Sequence, residues 1–360
     1  MHPFKIDTDI RRAETLPGAV YHDAACYDLA RQRIFAHSWH YVGDARRIRA
    51  PGHVLPVDVL PGCLDEPLVL TVSDDGMLNC LSNVCTHRGT IVVEGEGHVR
   101  GLRCRYHGRR FHLDGRFVSM PEFEGVEDFP SERDNLPRLP LHQFGPLLFT
   151  ALDPAIPYEE WMAPVLRRVA WLDLERLEFD AATSHDYFIN ANWALYCDNY
   201  LEEFHIPYVH ATSLTGLDYA GYRTETYDYG SLQLGVAGES ESVFELPADH
   251  PDAGERMAAF YFWLFPNLML NFYPWGLSMN VVQPLGPERT KVSFRSYVLD
   301  ASKRHGVGGD LNRVEMEDEE VVEAAQKGVR SRLYNRGRYS PRREVGTHHF
   351  HTLLARFLNG

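Results

Sequence analysis

The chain has 360 residues, 44% of them apolar, 12% aromatic and 24% charged, with a formal net charge of −14 at pH 7. That length suits two domains and a core that needs no covalent staples, and the aromatic content excludes disorder as the main state. The acidic balance speaks against nucleic acid and anionic membrane surfaces as partners.

Six cysteines are too sparse for a disulfide scaffold, and part of their spacing suits metal ligation. The first ten residues carry no apolar run of signal-peptide type. The most apolar stretch, Phe260 to Leu270, is broken by Pro266 and Asn267 and is far short of a membrane span. A cytoplasmic protein is expected.

In chain order, short runs such as Glu66–Val72 and Met77–Asn83, separated by Gly, Pro and Asp, predict a small all-β unit. Leu152 to Pro157 reads as a connector. A helix follows with Trp161, Val165, Leu166 and Val169 on one face. Asp180 to Trp193 reads as extended. Trp193, Tyr196, Cys197, Tyr200, Leu201 and Phe204 then fall at helical spacing, with Pro207 limiting the helix. From Gly221 to Val298 the alternation predicts an antiparallel sheet. Residues 311–333 predict a last helix, with Leu311, Val314, Val321, Val322, Ala325 and Val329 inward.

Two groups of residues carry chemistry. In the first, Cys85-Thr86-His87 is followed, after sixteen intervening residues, by Cys104-Arg105-Tyr106-His107. Two thiolates and two imidazoles suit a tetrahedral zinc site or a [2Fe–2S] cluster with Cys on one iron and His on the other. One Cys and one His per loop favours the cluster, because each loop then reaches both irons. Gly89, Gly108 and Gly115 permit tight loops around it.

In the second, Asp198, Glu202 and His205 share the polar face of one helix, and His210 follows after a turn. Position 318 of the last helix falls in its apolar stripe, yet holds an aspartate. A carboxylate there is costly unless it is paired or binds a metal. Its neighbours Glu317, Glu319 and Glu320 read as a solvated face. His205, His210 and Asp318 together would form a two-His, one-carboxylate triad that leaves open positions on Fe(II).

Here the sequence resembles a known family. Asn83 to Phe117, with CTHRG and CRYHG at its centre, is similar to the Rieske domain of Rieske non-haem iron oxygenases. NWALYCDNYLEEFHIPYVH and EDEEVVEAAQKG resemble that family's iron-binding segments. The resemblance covers nearly the whole chain. It implies an α+β protein: an all-β Rieske [2Fe–2S] domain at 41–152, and a catalytic mononuclear-iron domain at 153–360. The latter would be an antiparallel sheet flanked by helices, of the helix-grip (START-like) kind, with residues 1–40 packing on it. It implies Cys85, His87, Cys104 and His107 as cluster ligands and His205, His210 and Asp318 as ligands of Fe(II). It also implies O2 as co-substrate and a homotrimer. Electrons would come from NAD(P)H through a separate flavin or iron–sulfur reductase. Glu202 would bridge the cluster of one subunit to the iron of the next, with Glu203 as competitor, and Asn199 would point into the same cavity. The family usually has Trp where Arg109 stands, which would change the surface over the cluster. Its usual Lys after the Asn-Trp pair is Ala194 here.

Within the family, CDNYLEEFHIPYVH and RGRYSPRREVGTHHFHTLLA resemble choline-type quaternary-amine oxygenases. A trimethylammonium group is recognised by aromatic faces; Tyr261, Trp263, Phe265, Phe272, Tyr273 and Trp275 are material for such a cage, with Tyr261, Trp263, Phe272 and Trp275 as the leading candidates. Alternation also suits Tyr261, Trp263 and Phe265 to core packing. The rivals are an aromatic-ring hydroxylating oxygenase, a non-enzymatic Rieske electron carrier, and a structural zinc protein.

Overall fold

Turn residues cut the segment from Ala36 to Ala155 into short strands, and this segment forms one of two compact units. The computed structural model describes residues 4–214, 216–238, 241–305 and 308–360. The strands of this unit are β1 (His40–Asp44), β2 (His53–Val59), β3 (Glu66–Val72), β4 (Leu78–Ser82), β5 (Gly97–His98), β6 (Leu102–Arg103), β7 (Arg110–Phe111), β8 (Phe117–Ser119), β9 (Arg138–Leu139), β10 (Leu141–Phe144) and β11 (Leu147–Thr150). They make three antiparallel sheets, ordered β1-β11-β10, β5-β2-β3-β4-β9 and β6-β7-β8. The core under the last two holds Val69, Leu81, Leu102, Phe111 and Leu136, and Cys85 and Cys104 belong to it.

The second unit comprises the chain up to Phe35 and everything from Ile156 onward. Its helices are α1 (Ala24–Arg33), α2 (Tyr158–Arg168), α3 (Trp193–Tyr200), α4 (Ile206–Val209), α5 (Leu311–Val329) and α6 (Val345–Asn359). Its strands are β12 (Glu178–Ile189), β13 (Arg223–Tyr227), β14 (Gly230–Val236), β15 (Met257–Leu264), β16 (Leu268–Tyr273), β17 (Gly276–Gly286) and β18 (Arg289–Val298). They form one antiparallel sheet in the order β12-β18-β17-β16-β15-β14-β13. The fold is therefore α+β. The N-terminal segment is tied to the C-terminal part of this unit. Phe4 N donates to Asn359 Oδ1 at 2.8 Å, and Gly18 N to Asn335 O at 2.8 Å.

Register decides which aromatic residues share a face. Phe260 pairs with Phe272 and Tyr261 with Asn271. Period-2 alternation therefore puts Tyr261 and Trp263 on one face and Phe260, Phe262 and Phe272 on the other.

Three helices differ from the sequence expectation. In α2, Leu166 is 43% exposed while Met162 is buried, a rotation of the apolar stripe by about one position. The helix expected to continue from Trp193 to His205 stops at Tyr200, and Phe204 is exposed. Pro207 lies in the first turn of α4, where its missing N–H costs nothing; the same ring would break a continuous helix through this region. In α5, Val321 and Ala325 face outward, whereas Glu315, Val322, Gln326 and Val329 are buried. Two polar residues take inward positions because each has a specific partner. Gln326 Oε1 accepts from Asn192 N at 2.8 Å, and Glu315 Oε2 accepts from Tyr196 OH at 2.7 Å. Hydropathy gives such residues no credit.

Candidate active site and metal centres

The short segment from Leu201 to His210 sits between α3 and α5 and carries both histidines. Asn192 caps α3 by accepting from Ala194 N at 2.9 Å. Asp310 caps α5 by accepting from Arg313 N at 3.1 Å. The two capped helices lie side by side, and this brings Asp318 to the histidines. One ligand atom from each of His205, His210 and Asp318 lies within 4.8 Å of the others. His210 Nε2 is 3.0 Å and His205 Nε2 3.7 Å from Asp318 Oδ1.

The ring nitrogens turned away from this point are occupied. His205 Nδ1 is 2.6 Å from Glu202 Oε1, and His210 Nδ1 is 2.8 Å from Glu317 Oε2. Ser213 Oγ holds the same Glu317 oxygen at 2.5 Å. Each carboxylate fixes a tautomer that leaves the Nε2 lone pair directed at the shared point. Asn199 Nδ2 donates to Asp318 Oδ1 at 2.7 Å and fixes the third donor. Two oriented imidazoles and one carboxylate, with no fourth protein donor among the described residues, fit an iron site with open positions.

In the other unit, the two Cys/His loops repeat one backbone pattern. Cys85 N donates to Thr90 O at 2.9 Å and Gly89 N to Cys85 O at 3.0 Å. Cys104 N donates to Arg109 O at 2.8 Å and Gly108 N to Cys104 O at 3.0 Å. Gly89 and Gly108 take φ of +70° and +75°, which favour glycine. Both cysteines are buried and lie within hydrogen-bond reach of each other. The His87 and His107 rings sit 4.8 Å apart at the unit's surface, and His107 is exposed. Paired sulfurs inside and paired imidazoles outside suit a [2Fe–2S] cluster whose histidine-bound iron faces out.

Comparison with known proteins matches a family to each unit. The ring-hydroxylating alpha subunit (catalytic domain) family matches residues 174–360, and the Rieske [2Fe-2S] domain family matches residues 37–130. The chloroplastic choline monooxygenase of Arabidopsis thaliana is 30% identical over 96% of this chain and 83% of its own length. The carnitine monooxygenase oxygenase subunit of Escherichia coli K12 is 28% identical over 96% of this chain and 94% of its own. A crystal structure of the quaternary ammonium Rieske monooxygenase CntA superposes with a TM-score of 0.79 at 24% identity, covering 99% of both chains. The chain belongs to the Rieske non-haem iron oxygenase alpha subunits. It is an oxidoreductase that incorporates O2, and its cofactors are a Rieske [2Fe–2S] cluster and a mononuclear iron at His205, His210 and Asp318.

Beside the iron ligands of this oxygenase lies a cavity of about 110 Å³. Tyr200, Tyr222, Tyr261 and Tyr273 form part of its wall, and His205, His210 and Asp318 line it. Of the four leading aromatic candidates from the sequence, Tyr261 alone is in the wall; Tyr273, also offered by the sequence, joins it, and Phe265 does not. Trp263 is fully buried, with Nε1 donating to Pro266 O at 3.2 Å and its ring edge-on to Phe350 of α6. Phe272 points to the opposite sheet face, against Phe262. One face of Trp275 is stacked at 5.3 Å on Tyr273, and the Arg304 guanidinium sits 4.5 Å from its ring centre. Its π-faces are taken.

Three further residues differ from expectation. Glu317, assigned to a solvated face, is the partner of His210. Glu203 turns away from the iron ligands and pairs with Arg343 at 2.9 Å in a buried setting. Arg109 is 2% exposed and lies inside the Rieske unit rather than on its surface. Among the described residues, no helix is long and apolar enough to cross a membrane.

Proposed function

We propose that this oxygenase hydroxylates or N-demethylates a small, choline-like quaternary ammonium compound, using electrons delivered from NAD(P)H by a separate flavin or iron–sulfur reductase. One observation carries the substrate class. The cavity at the iron ligands has five tyrosines in its wall and no lysine or arginine among its described lining residues. A trimethylammonium group donates no hydrogen bond and binds to aromatic faces, each worth about 0.5–2 kcal/mol. The Arabidopsis and E. coli relatives are named for choline and carnitine, both quaternary ammonium compounds.

The residues divide the work as follows. Cys85 and Cys104 hold one cluster iron, and His87 and His107 the other. His107, exposed at the unit's surface, would be the ligand through which the bound cluster hands electrons on. In a homotrimer, Glu202 joins that His107 to His205 of the neighbouring subunit; its Oε1 is already on His205 Nδ1. Asn199 holds Asp318 in place. The bound iron supplies the activation of dioxygen. The cavity wall places the substrate C–H bond and excludes water. One oxygen atom enters that bond and the other leaves as water, with two electrons and two protons consumed. Attack on the alcohol carbon of choline yields betaine aldehyde hydrate. Attack on an N-methyl group yields a carbinolamine that releases formaldehyde.

A single turnover tests this reading. Iron-loaded protein is reduced chemically and mixed with oxygen and choline, glycine betaine, carnitine or a simple arene, and cluster reoxidation and product are followed. Faster reoxidation with an oxidised quaternary amine is the expected result. Oxidation of the arene alone transfers the enzyme to the aromatic-ring hydroxylases.

A further inference from the structure

Glu315 is the residue of this cavity that the chemistry above leaves unused. It is 2% exposed and belongs to the cavity wall. Its Oε2 accepts from Tyr196 OH at 2.7 Å, while its Oε1 is sealed from solvent and has no hydrogen-bond partner among the described residues. Burial, together with the Asp318 and Glu319 charges, pushes its carboxyl well above the usual carboxylate range, against the pull of the Tyr196 hydroxyl. A buried carboxylate with one unsatisfied oxygen is costly, and a glutamine or leucine there would cost less. No side-chain cation in the wall offsets it: the described lining residues include no lysine or arginine. The iron charge is held by His205, His210 and Asp318, so a second positive charge in the cavity, carried by the ligand, would offset that of Glu315.

We propose that Glu315 is the counter-ion of the substrate's ammonium group and that the substrate is a quaternary ammonium whose remainder is uncharged. The inference rests on the function proposed above and narrows it. The tyrosines supply π-faces and Glu315 the compensating charge, a pairing that strengthens with desolvation. A zwitterion such as a betaine would bring its own carboxylate into a cavity already lined by Glu202, Glu315 and Asp318. No lysine or arginine in the described wall receives that carboxylate, and on the iron it would take a position that dioxygen needs. Tyr196 is the positioning residue, because it fixes one carboxylate oxygen and so holds the group at the cavity wall.

The test is ligand binding to the fully metallated enzyme, with three probes: choline, its neutral carbon isostere 3,3-dimethylbutan-1-ol, and glycine betaine. The wild type is expected to bind choline at least about tenfold more tightly than either of the others. Glu315→Gln keeps the shape and removes the charge. It is expected to weaken choline at least about tenfold while leaving the neutral isostere within about twofold. Tyr196→Phe, a milder change, should weaken choline less and keep the preference over the isostere. Equal loss of choline and isostere in Glu315→Gln would make Glu315 a packing residue and overturn the proposal. So would unchanged choline binding. If Glu315→Gln cannot be loaded with metal, wild-type discrimination decides: equal affinity for choline and the isostere overturns the charge role. Tight binding of glycine betaine overturns the uncharged remainder. A wild type that binds no quaternary ammonium, choline and betaine alike, overturns the proposed function itself, an outcome distinct from an ineffective Glu315→Gln in a choline-binding enzyme.

Discussion

Arg109→Met removes one partner of a buried ion pair that ties the two cluster loops together. Arg109 follows the second Cys/His loop, and its Nη2 donates to Asp134 Oδ1 at 2.7 Å and to Asp134 O at 3.0 Å. Thr86, inside the first loop, donates to the same carbonyl at 2.8 Å. The guanidinium carbon sits 4.9 Å from the Phe117 ring centre, 5.6 Å from Phe129 and 5.8 Å from Phe111. In the variant, Asp134 keeps only the Ser131 N–H and hydroxyl on its side chain. Stranding one member of a buried pair costs about 3–5 kcal/mol. For a domain near 100 residues that lowers the unfolding temperature by more than roughly 10 °C. The assay is thermal loss of the visible Rieske absorbance.

The pH dependence supplies a second check on the same pair. Burial pushes the Asp134 carboxyl up, but Arg109 and Ser131 outweigh it and hold it below the usual carboxylate value. A depressed folded-state pKa contributes stability that is present above the unfolded pKa and is lost as pH falls through the folded value. Without Arg109, burial dominates and the carboxyl rises. The variant's deficit should therefore shrink as pH falls below about 4, where protonated Asp134 no longer needs a cation. Adding Asp134→Asn should restore more than half of the loss at pH 7, because no unpaired charge remains. A deficit under about 1 kcal/mol, or one independent of pH in the acid range, would refute the view that Arg109 acts through Asp134.

Four other substitutions address the iron site. Asp318→Ala should keep the brown Rieske chromophore while abolishing the mononuclear iron and turnover; iron analysis showing full occupancy contradicts the ligand assignment. Glu202→Gln should retain both metals and slow inter-centre electron transfer by about 10–100-fold, the scale for losing a residue that orients a ligand; stopped-flow reoxidation at the wild-type rate moves the bridge elsewhere. Glu203→Gln should instead cost stability through Arg343, up to about 3 kcal/mol, and leave transfer unchanged. Asn199→Ala should weaken iron binding about 10–100-fold by freeing Asp318, measured by competition with a chelator.

The iron ligands were legible because their chemistry is scarce and local. Two Cys/His loops need only short spacings, and an aspartate in an apolar helical stripe is conspicuous. Strand boundaries followed from short runs bounded by turn residues, as at Glu66–Val72. What failed has one cause. Hydropathy grades a residue by type, whereas α3 and α5 assign positions by partner. Gln326 is inside because Asn192 N needs an acceptor, and Glu317 turns to His210 because an imidazole needs an orienting carboxylate. Glu202 shows how a correct expectation can rest on the wrong geometry. It was expected to meet His205 along one helix, but the helix ends at Tyr200. The contact forms across a turn, where Glu202 Oε2 also accepts from the Phe204 and His205 N–H groups. That turn does more than a helix could. It exposes two backbone donors, fixes both oxygens of Glu202, and so holds His205 by its side chain and its backbone together.

The aromatic cage failed for a related reason. Trp263, Phe272 and Trp275 were attractive because tryptophan and phenylalanine offer large faces. A face counts for a ligand only if the protein leaves it bare. Here Tyr273 and Arg304 cover Trp275, Phe350 meets Trp263, and strand register turns Phe272 away. The aromatic part of the wall is left to five tyrosines and Phe294, and burial explains why tyrosine dominates. A buried tyrosine keeps a hydroxyl that the core must satisfy, so it is placed where polar partners exist. Tyr200 finds Asn271 Oδ1 at 2.6 Å, beside the iron ligands rather than in the dry interior of the sheet. The polar surroundings that an iron site requires are therefore the same surroundings that draw tyrosine, and not tryptophan, into its wall.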